Sequence, residues 1–430
     1  MPSVCFYVHV HQPFRIRRTS LFDIGNHAPY FDDEMNKRYL DRIVQKSYLP
    51  TNAALLDAIK KTNGKFKVSF SITGTILEQL EQYHPEVIES FQRLVNTGNA
   101  EIVAETYYHS LAFLYSKDEF KRQVELQQKK LESLFNVKPT VFRNTELIYS
   151  NEIAQLVGEM GYKGILAEGA DHVLGWRSPN FVYRSQTSHG MPILLRNYRL
   201  SDDIAFRFSN KEWESWPLTA DKFAQWVHKV NGSGEIINLF MDYETFGEHQ
   251  WESTGIFDFL RAMPHEILRH PDMDFKTVSE IVENYHPVAD LDIPYIVTWA
   301  DVERDLSAWL GNSMQQKAIK RLYEFEEAVM TLGDEKLLDA WRKLQTSDHF
   351  YYMCTKWFSD GDVHKYFNPH ESPYECFISF MNIMKDFEIY LEKNISELAE
   401  RSPQKSRNTI QNALCQLKKS LKIKNRTAHS

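Results

Sequence analysis

An α/β barrel is the fold this sequence predicts, and three observations predict it. Through the first 290 residues, short apolar runs alternate with longer amphipathic ones. Several of the short runs are apolar at successive positions, as parallel strands covered on both faces require. Strand and helix signals also take turns instead of clustering by type, which favours repeated βα units over a sandwich.

Strands are expected at residues 4–10, 66–72, 100–105, 140–143, 164–167, 192–197 and 236–242, with a weaker signal at 274–278. The pattern supports seven or eight strands and no finer count. Helical periodicity falls between them, at 51–61, 85–97, 117–135, 151–160 and 220–230. Ser116 followed by Glu119 resembles a capping box, and Gly161 sits where a helix should stop. After Pro294 the grammar changes to helices at 313–332, 335–345 and 374–395. The expected organisation is a catalytic barrel over 1–292, a helical domain over 293–400 that completes the cleft, and a tail over 401–430. That tail holds eight Lys or Arg and no Asp or Glu, with one weak helix near 410–421. It reads as a solvated, flexible segment.

Composition narrows the function. Of the 430 residues, 43% are hydrophobic and 25% charged, and net charge is −8, so no nucleic-acid partner is expected. No apolar run approaches the length of a membrane span, and the short run at 4–10 has no basic segment before it. Cys5, Cys354, Cys376 and Cys415 form no CxxC pair and suggest neither a zinc site nor a disulfide framework. A reducing cytoplasm fits that usage. Aromatic residues reach 13%, enough to fill a large core and still line a cleft where sugar rings stack.

In a parallel barrel, reactive groups collect where strands end at their C-terminal side. The first strand ends in His9-Val10-His11-Gln12-Pro13, and the third runs into Glu105 with His109 four residues on. The fourth leads to Arg143-Asn144-Thr145-Glu146, and the seventh to Asp242-Tyr243-Glu244 with Glu248 and His249 beyond. A single carboxylate after a strand usually caps a helix or joins a salt bridge. Here several strands deliver imidazole or carboxylate to one rim, which makes an active site the better reading. With no nucleophilic Ser or Cys motif, paired carboxylates point to glycoside chemistry.

At these residues a family resemblance becomes specific. Residues 9–13, 98–101, 143–150, 241–249 and 309–312 resemble, in order and separation, the five short sequence regions of glycoside hydrolase family 57. The run LSDDIAFRFSN at 200–210 is similar to the α-amylase-type branch of that family. QTSDHFYYMC at 345–354 resembles its helical-region segment, with His349 and Tyr351 where many relatives carry Trp. The resemblance implies an incomplete (β/α)7 barrel followed by a helical bundle, and a retaining enzyme acting on α-1,4-glucans without a cofactor or metal. Glu146 matches the family nucleophile and Asp242 the general acid/base. Retention needs their carboxyls roughly 5–5.5 Å apart, and proton donation needs a raised pKa at Asp242.

Other positions are expected in supporting roles. His9 and His11 alternate over Val10 and so share one face of their strand, pointing at sugar hydroxyls. Glu105 and His109 complete that polar ring. Trp309 is expected to stack on a sugar, with Asp305 hydrogen-bonding beside it. Glu244 and Glu248 read as groups that order the loop, and Trp176 and Trp251 as further subsite candidates. The chief rival is a metal-dependent hydrolase in which His9 and His11 recruit His109, Asp242 and His249. A non-catalytic carbohydrate-binding relative would have lost one of the two carboxylates, and both are present. Among enzymes, hydrolysis is favoured over 4-α-glucanotransfer and branching because the chain lacks a C-terminal β-domain or a long insertion. Oligomeric state is not legible in the sequence.

Overall fold

Seven parallel strands ring the interior in this computed structural model, which describes residues 2–356 and 368–401. The expected helix near 410–421 lies outside the described residues. Chain contacts divide the protein into two units, one of Met1–Gln12, Lys37–His109 and Lys121–Asp305, the other of Pro13–Asn36, Ser110–Phe120 and Leu306 onward.

Among the described residues the first unit holds every strand: β1 (Ser3–Val10), β2 (Val68–Ile72), β3 (Ala100–Ile102), β4 (Val141–Arg143), β5 (Gly164–Glu168), β6 (Tyr183–Ser185), β7 (Pro192–Arg196), β8 (Ile236–Asp242), β9 (Asp274–Phe275) and β10 (Asp290–Leu291). One parallel sheet runs β3-β2-β1-β8, and a second runs β4-β5-β7 with β6 added antiparallel. A parallel bridge between Ala104 and Phe142 joins them. Among the described residues no ladder pairs β7 with β8, and two side-chain bonds and one main-chain bond stitch that seam instead. Asn238 Nδ2 donates to the Leu195 carbonyl at 2.8 Å, Arg196 Nε to the Phe240 carbonyl at 2.7 Å, and the Asn197 amide to the Asn238 carbonyl at 2.9 Å. The barrel is therefore incomplete at one seam, with seven strands.

Strand parity positions the site. Val4, Phe6, Val8 and Val10 of β1 join an outer cluster that includes Leu55, Ala58 and Leu260 from helices Leu49–Lys61 and Ile256–Leu268. Cys5 and Tyr7 join an inner cluster with Val103, Val141, Leu166, Leu194 and Phe240. Because strand side chains alternate, the next inward positions are His9, Glu105, Arg143, Glu168, Arg196 and Asp242. Register agrees, since His9 lies opposite Asp242 and Glu168 opposite Arg196. On six of the seven strands an apolar plug thus gives way, one step along, to ionisable groups, while β2 presents Ser71 and then Thr73.

The second unit is helical, with helices Ser313–Tyr323, Glu326–Leu332, Glu335–Lys343 and Pro373–Arg401. The single helix expected over 313–332 is two, and Phe325 at the break stacks on Phe387 of the long helix at 5.5 Å. Ser116 accepts from the Glu119 amide at 3.1 Å, which is half of a capping box. The Glu119 carboxylate turns instead to Arg342, at 2.8 Å. Among the described residues no helix is long and apolar enough to cross a membrane.

Candidate active site

Glu146 stands on a single turn, Thr145–Leu147, just after β4. Its φ is +55° and that of Leu147 is +51°, a left-handed conformation that costs a residue with a Cβ about 1–2 kcal/mol. Neighbouring contacts hold the turn. Asn144 Nδ2 donates to the Ile148 carbonyl at 3.1 Å, the Thr106 and Thr145 hydroxyls are 2.9 Å apart, and Leu147 is buried in the inner cluster. Strain retained in this way is frequent at functional sites.

Each carboxylate oxygen of Glu146 meets one donor. His109 Nε2 lies 2.8 Å from Oε1, and Trp299 Nε1 donates to Oε2 at 2.7 Å. Burial would raise this carboxyl, but the His109 bond and charge, Arg143 and the indole N–H outweigh it and hold it below the ordinary range. His109 is itself held by Glu105, whose Oε2 is 3.5 Å from Nδ1. Burial opposes its charge, yet its two carboxylate partners push it up to about 9, so it is protonated at neutral pH.

Asp242 ends β8 with 42% of its side chain exposed, and His9 Nδ1 lies 3.8 Å from Oδ1. The sequence leads one to expect a raised pKa there. The structure gives the opposite. Burial does push it up, but His9, His249 and Arg143 together hold it below the ordinary range. Glu244, two residues on, is raised instead. It is pushed up to about 8 by burial and by the Asp242 charge, against hydrogen bonds that include one from Tyr48. Tyr48 Oη donates to Glu244 Oε1 at 2.5 Å and Gln12 Nε2 to the same oxygen at 3.3 Å. Gly247 orders this loop, because at φ +101° a Cβ there would collide with the Lys46 carbonyl oxygen.

His9, His109 and His11 form a stack, with centroids 4.8 Å apart between the first two and 4.1 Å between the last two. His9 and His109 are buried, whereas His11 is half-buried and contacts the Thr73 hydroxyl at 2.9 Å. His9, Glu105 and His109 bring ligand-type atoms within 4.8 Å of one another, the donor set of a transition-metal site. The place a cation would take is already served. Arg143, fully buried, sets Nη1 3.4 Å from His9 Nε2 and 3.8 Å from Glu105 Oε2. A guanidinium keeps its charge at all working pH, so Arg143 offsets the Glu105 charge and would repel a dication.

Other expected positions fall elsewhere. Trp309 is 1% exposed and its ring tilts against Tyr351 in the helical unit, so it presents no open platform for a sugar. Asp305 is exposed, and its carbonyl accepts from the Thr298 hydroxyl at 2.9 Å. Glu248 pairs with Arg42 at 2.7 Å. Trp176 and Trp251 are 92% and 58% exposed. His349 is fully buried. Sequence reasoning does not single out Arg143, Tyr48 or Trp299 as site residues. Parity can find Arg143, which is one inward step beyond Val141. Trp299 stands beyond the last strand, where no periodicity exists to place it.

Comparison with known proteins matches residues 5–294 to glycosyl hydrolase family 57. A protein of Methanocaldococcus jannaschii named "Putative alpha-amylase" is 42% identical over 92% of this chain and 86% of its own. Among solved structures, a GH57-type branching enzyme from Pyrococcus horikoshii superposes with a TM-score of 0.65 at 15% identity, covering 97% of this chain and 94% of that one. A 4-alpha-glucanotransferase from Thermococcus litoralis gives 0.59 at 16% identity over 90% of this chain, which spans 60% of its length. At those identities the structural likeness is one of fold.

Proposed function

Since the chain belongs to glycosyl hydrolase family 57, we propose that it hydrolyses α-1,4-glucosidic bonds with retention, with Glu146 as nucleophile and Asp242 as acid/base. Starch, glycogen and maltooligosaccharides are the substrates of that reading. In the first step a Glu146 oxygen bonds to the anomeric carbon while the bond to the departing sugar breaks. Asp242 gives its proton to the leaving oxygen. In the second step Asp242 takes a proton from water, the water oxygen bonds to the anomeric carbon, and the ester to Glu146 breaks.

The observation that carries this reading is the setting of Glu146, an ionised carboxylate with one fixed donor on each oxygen and a strained turn to aim it. Asp242 adds a second carboxyl at the same rim with open surface. In the free enzyme its charge is favoured. A sugar covering the exposed 42% would strip its hydration and raise its pKa, so the acid form belongs to the complex. The half-buried His11 is the ring of the stack assigned to a sugar hydroxyl, and exposed Asp305 is retained as a second contact. His9, Glu105, His109 and Arg143 supply the charge network beneath. Buried Cys5 and Cys376, neither in a disulfide, support a reducing cytoplasm.

Glucan transfer and branching would pass through the same ester with a sugar hydroxyl in place of water. Hydrolysis is preferred because the relative that shares 42% identity carries an amylase name. The test is Glu146→Ala. The protein should fold, and activity should fall by several orders of magnitude. Azide should restore part of it as a glycosyl azide of inverted configuration. Near-normal turnover in the folded variant would end the assignment.

A further inference from the structure

Trp299 reaches the site by an unusual route. It lies beyond every barrel strand, yet its indole N–H donates to Glu146 Oε2 and its amide to the Glu146 carbonyl at 3.3 Å. Side chain and backbone of one residue therefore grip side chain and backbone of another. The ring is held in turn by charge. Arg143 Cζ is 5.1 Å and Arg196 Cζ 5.7 Å from its centroid, within the range of cation–π attraction. Arg196 is fixed by Glu168 at 3.1 Å, by Asp202, and by its bond to Phe240. Arg304 donates to the Trp299 carbonyl and lies 3.5 Å from Glu168. Glu168 and Arg196 are buried, a desolvation cost that packing alone does not call for.

We propose that Trp299 is a positioning residue for Glu146, with the Glu168–Arg196–Arg304 cluster serving to lock the indole. The inference rests on the reading of Glu146 as nucleophile. Its chemical logic lies in the difference between the two donors. His109 on Oε1 can gain or lose a proton, whereas an indole N–H donates at every working pH. Oε2 is thus kept hydrogen-bonded and the carboxylate plane fixed whatever the state of His109. The charged groups facing this pair are His109 and Arg143 around Glu146, and Arg143, Arg196 and Arg304 around Trp299.

The test separates the N–H from the ring. Trp299→Phe keeps an aromatic face, and 3-benzothienylalanine introduced at position 299 by codon suppression keeps the shape of the bicycle without the N–H. Loss of one hydrogen bond to a charged group should lower kcat roughly 10- to 100-fold in both. KM should change by less than about threefold, because the contact is to the enzyme's own carboxylate and not to substrate. The acidic limb of kcat/KM should move to higher pH, since the Glu146 carboxylate has lost a donor. A purely structural role would leave that limb in place. Wild-type kcat and an unmoved limb in the benzothienyl protein would overturn the proposal. In parallel, the wild-type intermediate is trapped with a fluorinated α-glucosyl fluoride and the labelled peptide sequenced. Sugar on Glu146 with an unchanged benzothienyl variant rejects the Trp299 inference alone, and sugar on another residue rejects the nucleophile reading with it.

Discussion

Asp242 and Glu244, two residues apart at the end of β8, show how far environment separates like groups. Asp242 is partly exposed and surrounded by His9, His249 and Arg143, which favour its charge. Glu244 is 6% exposed, and its hydrogen bonds from Tyr48 and Gln12 do not offset burial beside the Asp242 charge. Sequence offers both as carboxylates after one strand and places the raised pKa on Asp242, whereas in the free protein it falls on Glu244. The fields that decide come from positions as distant as Tyr48 and Arg143. A carboxyl raised from 4.5 to about 8 on folding contributes stability that is full below its unfolded value. That contribution is lost as pH rises through about 8, because only the unfolded chain has already released the proton. Glu244→Gln, an isostere of the protonated acid, should keep activity near wild type at pH 7. It should also remove about 2 kcal/mol of the stability lost between pH 6 and 8, read as denaturation midpoints across that range. Equal slopes in both proteins would mean that Glu244 is ionised at neutral pH.

At the scale of elements, the weak point of the barrel is the seam between β7 and β8. Elsewhere backbone ladders or bridges close the ring, but here Asn238, Arg196 and the Asn197 amide carry the contact. Asn238→Ala would leave the Leu195 carbonyl buried without its donor, a loss of about 1–3 kcal/mol. The expected signs are a lower denaturant midpoint with little change in slope, and faster amide exchange along β7 than along β1 and β2. Unchanged exchange at β7 would show that the seam does not depend on this side chain. Strand length decides how much of the barrel is legible in sequence. Long apolar strands such as β1 and β8 announce themselves by composition, and the expected runs at 4–10 and 236–242 coincide closely with Ser3–Val10 and Ile236–Asp242. β6 and β10, of three and two residues, are too short for any periodicity. Helix Ile256–Leu268 carries Pro264 inside it, where a rule that reads Pro as a stop would break it.

Taken as a whole molecule, the barrel is readable because its rule is repetitive, an inward apolar layer followed by an inward ionisable one. His9, Glu105, Arg143 and Asp242 all obey it, which is why strand ends alone point to the site. Glu146 escapes parity, sitting on a left-handed turn; the strand end brings it to the rim, and the resemblance of its segment adds the nucleophile's role. Trp299 escapes both. The helical unit is legible as helices and not as function, since His349 and Trp309, prominent in the motifs, are buried there. Buried histidines also shape the acid response of the whole protein. Burial lowers His349 and His370 to about 4, so below their ordinary 6.5 the unfolded chain binds protons that the folded one refuses. Stability then falls with falling pH, opposite in sense to the Glu244 effect, and the two leave neutral pH as the favoured range.

Pre-steady-state kinetics of Asp242→Asn test the double displacement on Glu146 assisted by Asp242. A sugar alkoxide needs a proton to leave, while an aryl oxide of low conjugate-acid pKa does not. With an activated aryl glycoside the first step should therefore survive the substitution, and the second, which needs a base to activate water, should not. The expected result is a burst of aryl alcohol equal to the enzyme concentration, slow turnover after it, an adduct on Glu146, and near-complete loss of activity on starch. Equal losses on activated and natural substrates with no burst would contradict it.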